Sequence, residues 1–379
     1  MILHKGENCN FIVDKLKAEV KSENAFKKNH TLPQRIKSAR GQVVSFYGPV
    51  NILSKSAIAS SKEGKGPISK YLFKVLDDDK CGEKSFEKAE LKMLTVGVLD
   101  ALKKAHLNPS DVDLLLAGDL LNQITSSSYL ARELKIPYFG LYSACSNMTQ
   151  SLALGASLID SGHFNTIACA TGSHFATAER QYRYPLEYGN QRPPYAQWTV
   201  TGAGCTILTG GEVEAGGVDG SLKRQRITHA IIGKVVDFGI DDVNNLGAAM
   251  APAAVDSMLA LFREKGWSEQ HFDLIVTGDL GKLGSDIVRD LMRERGYELG
   301  QRYTDCGNLI YDVNQRCYQG GSGAGCCAVV LNSFILDKMA QGVYNRVAVF
   351  ATGALMSPTM CNQGESIPCI SHGIIIENY

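Results

Sequence analysis

Two strings in this chain occur twice. Asp113-Leu-Leu-Leu-Ala-Gly-Asp-Leu-Leu121 recurs as Asp273-Leu-Ile-Val-Thr-Gly-Asp-Leu-Gly281. Cys169-Ala-Thr-Gly172 recurs inside Val349-Phe-Ala-Thr-Gly353. Each reads as a buried strand that ends in a tight turn. The spacing of the second pair carries Cys145 onto Cys326, which lies in Gly320-Gly-Ser-Gly-Ala-Gly-Cys326. After each cysteine comes a run that is apolar on nearly every side, Gln150 to Ile159 and Ala328 to Met339. A helix that is apolar all round is a buried helix. Strand then helix, repeated, builds a parallel sheet with crossover helices. A duplicated unit pairs two such sheets about a pseudo-twofold axis, with both apolar helices between them. Chance likeness of buried strands is the alternative, and two motifs in matching order argue against it. The expected organisation is an extension over 1–40, one half over 41–215 and a second over 216–379, joined near the glycine-rich 210–220.

Within that frame the segment Tyr138 to Tyr142 reads as a buried strand and Ser143 to Asn147 as a sharp exit from it. Cys145 then sits where a buried helix begins. Backbone N–H groups at such a place favour an anion, so a thiol there ionises more readily. The plainer reading is a small buried apolar residue, which is what most cysteines are.

Other parts of the chain give coarser expectations. Phe11, Ile12, Leu16 and Val20 make a weak amphipathic pattern. Val43 to Leu53 reads as a first strand, Ser60 to Gly66 as a polar loop, and Ser85 to His106 as an amphipathic helix. Lys+Arg and Asp+Glu are both 39, so there is no basic surplus to suggest a nucleic-acid partner. The cysteines number 11, at irregular spacings with no C-x-x-C pair. That pattern argues for reduced thiols rather than a disulfide framework or a zinc site. No apolar run is long enough to span a bilayer, and residues 1–17 lack the apolar core of a signal peptide.

A duplicated α/β unit with Cys145 at the first central helix resembles the thiolase-like superfamily. Its members condense or transfer acyl groups through that cysteine. The likeness implies a five-layered αβαβα fold in which two halves with parallel-rich sheets sandwich central helices. Longer strings narrow it. Ala117-Gly-Asp-Leu-Leu-Asn-Gln123, Ser173-His-Phe-Ala-Thr-Ala-Glu-Arg-Gln181, Met250-Ala-Pro-Ala-Ala254, Ala351-Thr-Gly-Ala-Leu-Met-Ser-Pro358 and Ser366-Ile-Pro-Cys-Ile-Ser-His372 resemble the stage V sporulation protein AD family. The resemblance implies a spore-forming bacterium and a role in dipicolinic acid uptake into the developing spore. It implies a dipicolinate ligand, bare or as the calcium chelate, and no separate cofactor or protein-held metal. It implies partners in a membrane transport assembly, on the cytoplasmic side of the spore inner membrane. A homodimer is a further expectation, since thiolase-like proteins often pair through their first half. Residues 1–40 lie ahead of the point where that family usually begins.

Condensing enzymes surround the cysteine with His and Asn, or two His, on loops of the second half. At the matching turns this chain has Gly278-Asp279-Leu280 and Gly321-Ser322-Gly323. Neither supplies an imidazole or an amide side chain. The expectation is a binding protein that has lost condensation. Acyl transfer by Cys145, with His174 or His372 as base, is the alternative, and a pure docking scaffold is a third reading. His229 and His271 are the other histidines of the second half, His271 at the strand end opposite the site. Dipicolinate is expected among Asp119, Asn122, Cys145, Ser146, His174, Arg180, Asp279 and Ser322. Arg183 and Arg192 are further carboxylate clamps, in an aromatic, proline-rich loop from Tyr182 to Trp198. Two readings stand for His174, ligand contact or hydrogen-bonded structural residue. Two stand for Arg180, carboxylate clamp or a structural residue that pairs with Glu179 or Glu187 or faces a dimer partner. Two stand for Asp119 and Asp279, calcium bridges or helix caps.

Overall fold

The computed structural model describes residues 41–182, 193–211 and 222–379. The expectations for residues 1–40, for Arg183 and Arg192, and for most of the glycine-rich joint fall outside the described residues.

Fourteen strands are described: β1 Val43–Ser45, β2 Val50–Ala59, β3 Lys74–Val75, β4 Leu114–Gly118, β5 Tyr138–Gly140, β6 Thr166–Ser173, β7 Trp198–Thr199, β8 Gly202–Gly210, β9 Gln225–Ile231, β10 Leu274–Thr277, β11 Tyr303–Asp305, β12 Gly321–Ser322, β13 Arg346–Ala354 and β14 Cys369–Asn378. The principal helices are α1 Phe86–Lys104, α2 Thr125–Leu134, α3 Asn147–Asp160, α4 Phe175–Tyr182, α5 Leu246–Lys265, α6 Gly281–Glu294, α7 Cys306–Ile310 and α8 Ala324–Val330.

The duplicated strings fold as duplicated strands. The first set runs β5-β4-β6-β8-β2 and the second β11-β10-β13-β14-β9. In each, three strands are parallel and two antiparallel strands follow. β4 and β10, the two Gly-Asp strands, hold the same place in their sets. So do β6 and β13, the two Ala-Thr-Gly strands. The sets meet through a single residue pair, Asn51 with Arg226.

Burial follows from the apolar patterns. α3 packs on strands of both sets and on α8, so the two central helices lie between the sheets. Met148, Leu152, Ala156, Cys327, Val330 and Leu331 share one core there. α1 and α2 cover the outer face of the first set, and α5 and α6 cover that of the second. Ser85 caps α1 by accepting from the Lys88 N–H, and Met93, Leu94, Val98 and Leu102 form its buried stripe. Fully burying each such side chain contributes roughly 1.5–3 kcal/mol. The expectation that no apolar run is long enough to span a bilayer is corrected by α5, which is long and apolar enough to cross one, although most of it is buried in the protein core.

Three local expectations change. Val43 to Leu53 is two strands, because Tyr47 and Gly48 turn there and donate their N–H groups to Asp160 Oδ1 at 2.7 Å each. The stretch Ser60 to Gly66 is not simply a solvated loop. It carries Glu63, which is buried and accepts from Ser60 Oγ, the Thr201 N–H and the Tyr311 hydroxyl. Tyr138 to Tyr142 is not a buried strand: β5 is the edge of the sheet and Phe139 is 54% exposed. Aromatic residues suit an edge that something else covers as well as they suit a core, so composition does not separate the two.

Candidate functional site: a cysteine cavity between the two halves

Ala144 to Ser146 form one tight turn that leads into α3. Ala144 has φ of 51°, a left-handed conformation that costs a non-glycine residue of order 1–3 kcal/mol. The surroundings hold it there. The Ser143 N–H donates to Asn147 Oδ1 at 2.6 Å, and Ser146 Oγ donates to the Ser143 carbonyl at 2.7 Å. β13 presses on the same turn: a Cβ on Gly353 would stand 2.0 Å from the Ser143 oxygen. The glycine of the second Ala-Thr-Gly string is thus required by the cysteine turn of the other half.

Asp279 stands on the far side of the sulfur. It is fully buried at the end of β10, and the Cys145 thiol is one of its hydrogen-bond partners. Thr352 Oγ1 donates to its Oδ1 at 3.0 Å; the Gly323 N–H at 3.0 Å and Ser322 Oγ at 3.2 Å donate to its Oδ2. Burial raises its pKa to about 6, against the lowering effect of these donors. Asp305 lies beyond it, raised to about 7 by burial, and accepts from the Leu280, Gly281 and Gly307 N–H groups. A carboxylate in contact with the thiol disfavours a thiolate, since two anions would share one dry site.

The cavity beside Cys145 is small and mostly apolar. Leu120, Tyr142, Ala178, Tyr182, Leu246 and Met356 form most of its wall, and Cys145, Glu179, Thr199 and Ser322 supply the polar atoms. Its volume is ≈ 40 Å³, room for about three waters at roughly 10–15 Å³ each. Among the described lining residues there is no Lys, Arg or His. Among the described residues no group of His, Cys, Asp or Glu is arranged to hold a metal ion.

Of the residues expected from sequence, Cys145 and Ser322 line this cavity, and Asp279 bonds to both from behind. Ser146 is fully buried and turned to Ser143. Asp119 is fully buried and caps the turn after β4, accepting from the Leu121 N–H at 2.9 Å and the Ser127 N–H at 2.7 Å. Burial and the Asp119 charge push the neighbouring Glu90 well above the usual carboxylate range. His174 is buried; its Nε2 meets the Asp79 carbonyl at 2.8 Å and its Nδ1 accepts from the Ala176 N–H at 3.1 Å. Burial lowers its pKa. Arg180 reaches outward to Glu87. Asn122 lines a separate outer groove. His372 lies on β14, where its Nδ1 accepts from the Gly233 N–H and burial lowers its pKa to about 4. Asp119 thus bonds within the turn that follows its strand, His174 bonds to Asp79 and Ala176, and Arg180 pairs with Glu87, a different glutamate from the expected Glu179 and Glu187.

Glu179, Tyr142, Thr199 and Met356 were not among the expected ligand residues. A signal for the first was present: in a helix begun at Phe175, Ala178, Glu179 and Tyr182 share one face.

The architecture and the cysteine turn define a thiolase-like fold. OleA of Xanthomonas campestris superposes with a TM-score of 0.57 at 12% identity, covering 88% of this chain and 100% of that one. The 3-oxoacyl-(acyl-carrier-protein) synthase III of Aquifex aeolicus superposes with a TM-score of 0.51 at 11% identity, covering 86% and 99%. At such identities the likeness is one of fold. The sequence is more specific. Residues 40–377 match the model of the family described as stage V sporulation protein AD. The stage V sporulation protein AD of Bacillus subtilis (strain 168) is 44% identical over 334 residues, 88% of this chain and 95% of that protein. The chain belongs to the stage V sporulation protein AD family.

Proposed function

We propose that this sporulation protein binds dipicolinic acid in the Cys145 cavity and supports its uptake into the developing spore, without acyl condensation. The observation that carries the second half of this reading is the Cys145–Asp279 contact. A condensing site needs a sulfur that ionises and donors that stabilise an oxyanion. Here the residue beside the sulfur is an acceptor, and the Ser322 hydroxyl and Gly323 N–H are already given to it.

The lining also bears on the form of the ligand. A bare dianion would meet Glu179 and no cation among the described residues. A calcium chelate brings its own positive charge, and hard carboxylate and hydroxyl oxygens suit that ion. Calcium enters this reading as part of the cargo. The family resemblance adds docking to a membrane transport assembly on the cytoplasmic face of the spore inner membrane. Self-association is the remaining proposal, through the β5 edge with Phe139 and Tyr129 exposed; Phe139→Glu should then shift the sedimentation of the protein to monomer.

The test is isothermal titration with dipicolinate, with and without calcium, on wild type, Ser322→Ala and Glu179→Gln. Binding that needs calcium and weakens in both variants supports the reading. Unchanged affinity in both variants moves the site elsewhere. One observation favours the alternative of acyl transfer: Cys145 does reach a cavity at the start of a buried helix. Turnover of acyl thioesters at ordinary enzyme rates, abolished by Cys145→Ala, would establish it instead.

A further inference from the structure

A second cavity lies against the first. Its wall is formed by Leu121, Asn122, Gln123, Ile124, Gly140, Leu355, Ser357 and Pro358, and its volume is ≈ 440 Å³. It shares three residues with the Cys145 cavity: Tyr142, Tyr182 and Met356. These side chains are the partition between a roomy outer groove and a cramped inner one. Tyr142 and Tyr182 touch hydroxyl to hydroxyl at 2.9 Å. Tyr182 gives its proton to the Leu120 carbonyl, so the Tyr142 hydroxyl donates to Tyr182. Leu120 is itself part of the inner wall.

We propose that the Tyr142–Tyr182 pair is a gate, and that ligands pass from the outer groove to Cys145 when it parts. Two independent observations lead there. One is the shared wall. The other is volume: the inner space, at ≈ 40 Å³, is about a tenth of the ≈ 440 Å³ outer groove. The pair is also the part of the wall best able to move. Tyr142 lies past the end of β5 and is 44% exposed. Tyr182 ends α4. Their contact is a neutral hydrogen bond that water can replace on each side. The gate is independent of which ligand the inner cavity takes.

The thiol at the inner end provides a readout that needs no ligand. Alkylation of Cys145 by a bulky maleimide is followed by peptide mass mapping on the full chain in its native oligomeric state, with Cys81 and Cys361 as partly exposed internal controls. Tyr142→Ala should speed modification of Cys145 at least tenfold while the controls hold. Tyr182→Phe, which removes both hydroxyl bonds and little volume, should speed it severalfold. Pro358→Trp, which narrows only the outer groove, should slow it. The Tyr182→Phe result stands alone if Tyr142→Ala does not fold. An unchanged rate in the tyrosine variants, including no modification in any of them, overturns the gate. An unchanged rate in Pro358→Trp overturns the route.

Discussion

The Cys145 thiol and the Asp279 carboxylate are hydrogen-bond partners across the seam between the two halves. One comes from the turn before α3, the other from the turn after β10. Each turn belongs to one copy of the duplicated unit. The contact makes the state of the sulfur depend on a charge supplied by the opposite half.

Removing that charge should free the sulfur. In Asp279→Asn, the pH of half-maximal Cys145 alkylation by iodoacetamide should fall by more than one unit relative to wild type. A profile that does not move would mean that the carboxylate has no hold on the thiol.

Stability should depend on pH through the same buried acids. Asp279 and Asp305 are raised to about 6 and about 7 by burial, whereas an unfolded Asp titrates near ~4. Between these values the native state holds protons that the unfolded state has lost, so stability falls as pH rises through the window. For Asp279 alone, two units correspond to roughly 3 kcal/mol. His229 and His372, lowered to about 4, slope the opposite way below the usual histidine range. The contribution is therefore read as a difference: urea unfolding at pH 5 and pH 7.5 should show a smaller loss in Asp279→Asn than in wild type.

His174 should prove structural. His174→Ala leaves the Asp79 carbonyl and the Ala176 N–H without their partner, at a cost of about 1–3 kcal/mol. Dipicolinate affinity, measured where the variant remains folded, should be unchanged. Arg180→Ala should do less still, since its bond to Glu87 is a partly exposed ion pair worth ≈ 0–1 kcal/mol. A large loss of affinity in either variant would return these residues to the site.

Gly353→Ala should be among the most damaging small substitutions. Its Cβ would meet the Ser143 oxygen at 2.0 Å, backbone against backbone, with no flexible side chain to give way. A drop of several degrees in melting temperature, or loss of soluble protein, is the expected outcome. A wild-type melting curve would show that the cysteine turn can shift.

The sequence by itself determined the large features. The doubled Gly-Asp and Ala-Thr-Gly strings specified a doubled sheet, and the all-apolar runs after Cys145 and Cys326 specified two central helices, because periodicity and burial are local properties of a string. It also placed Cys145 at a helix start and Asp279 and Ser322 at facing turns. Only the tertiary structure decided what these residues do to one another. Asp119 and Asp279 occupy equivalent positions in two copies of one motif, yet Asp119 caps its own turn while Asp279 reaches the sulfur of the other half. His174 reads like a ligand residue by its position after a strand, yet its ring is used up by Asp79, which is remote in sequence. Phe139 reads like core and lies on an edge. Hydrogen bonds of buried polar groups are settled by whichever chain segment arrives beside them, and that choice is made when the two halves pack.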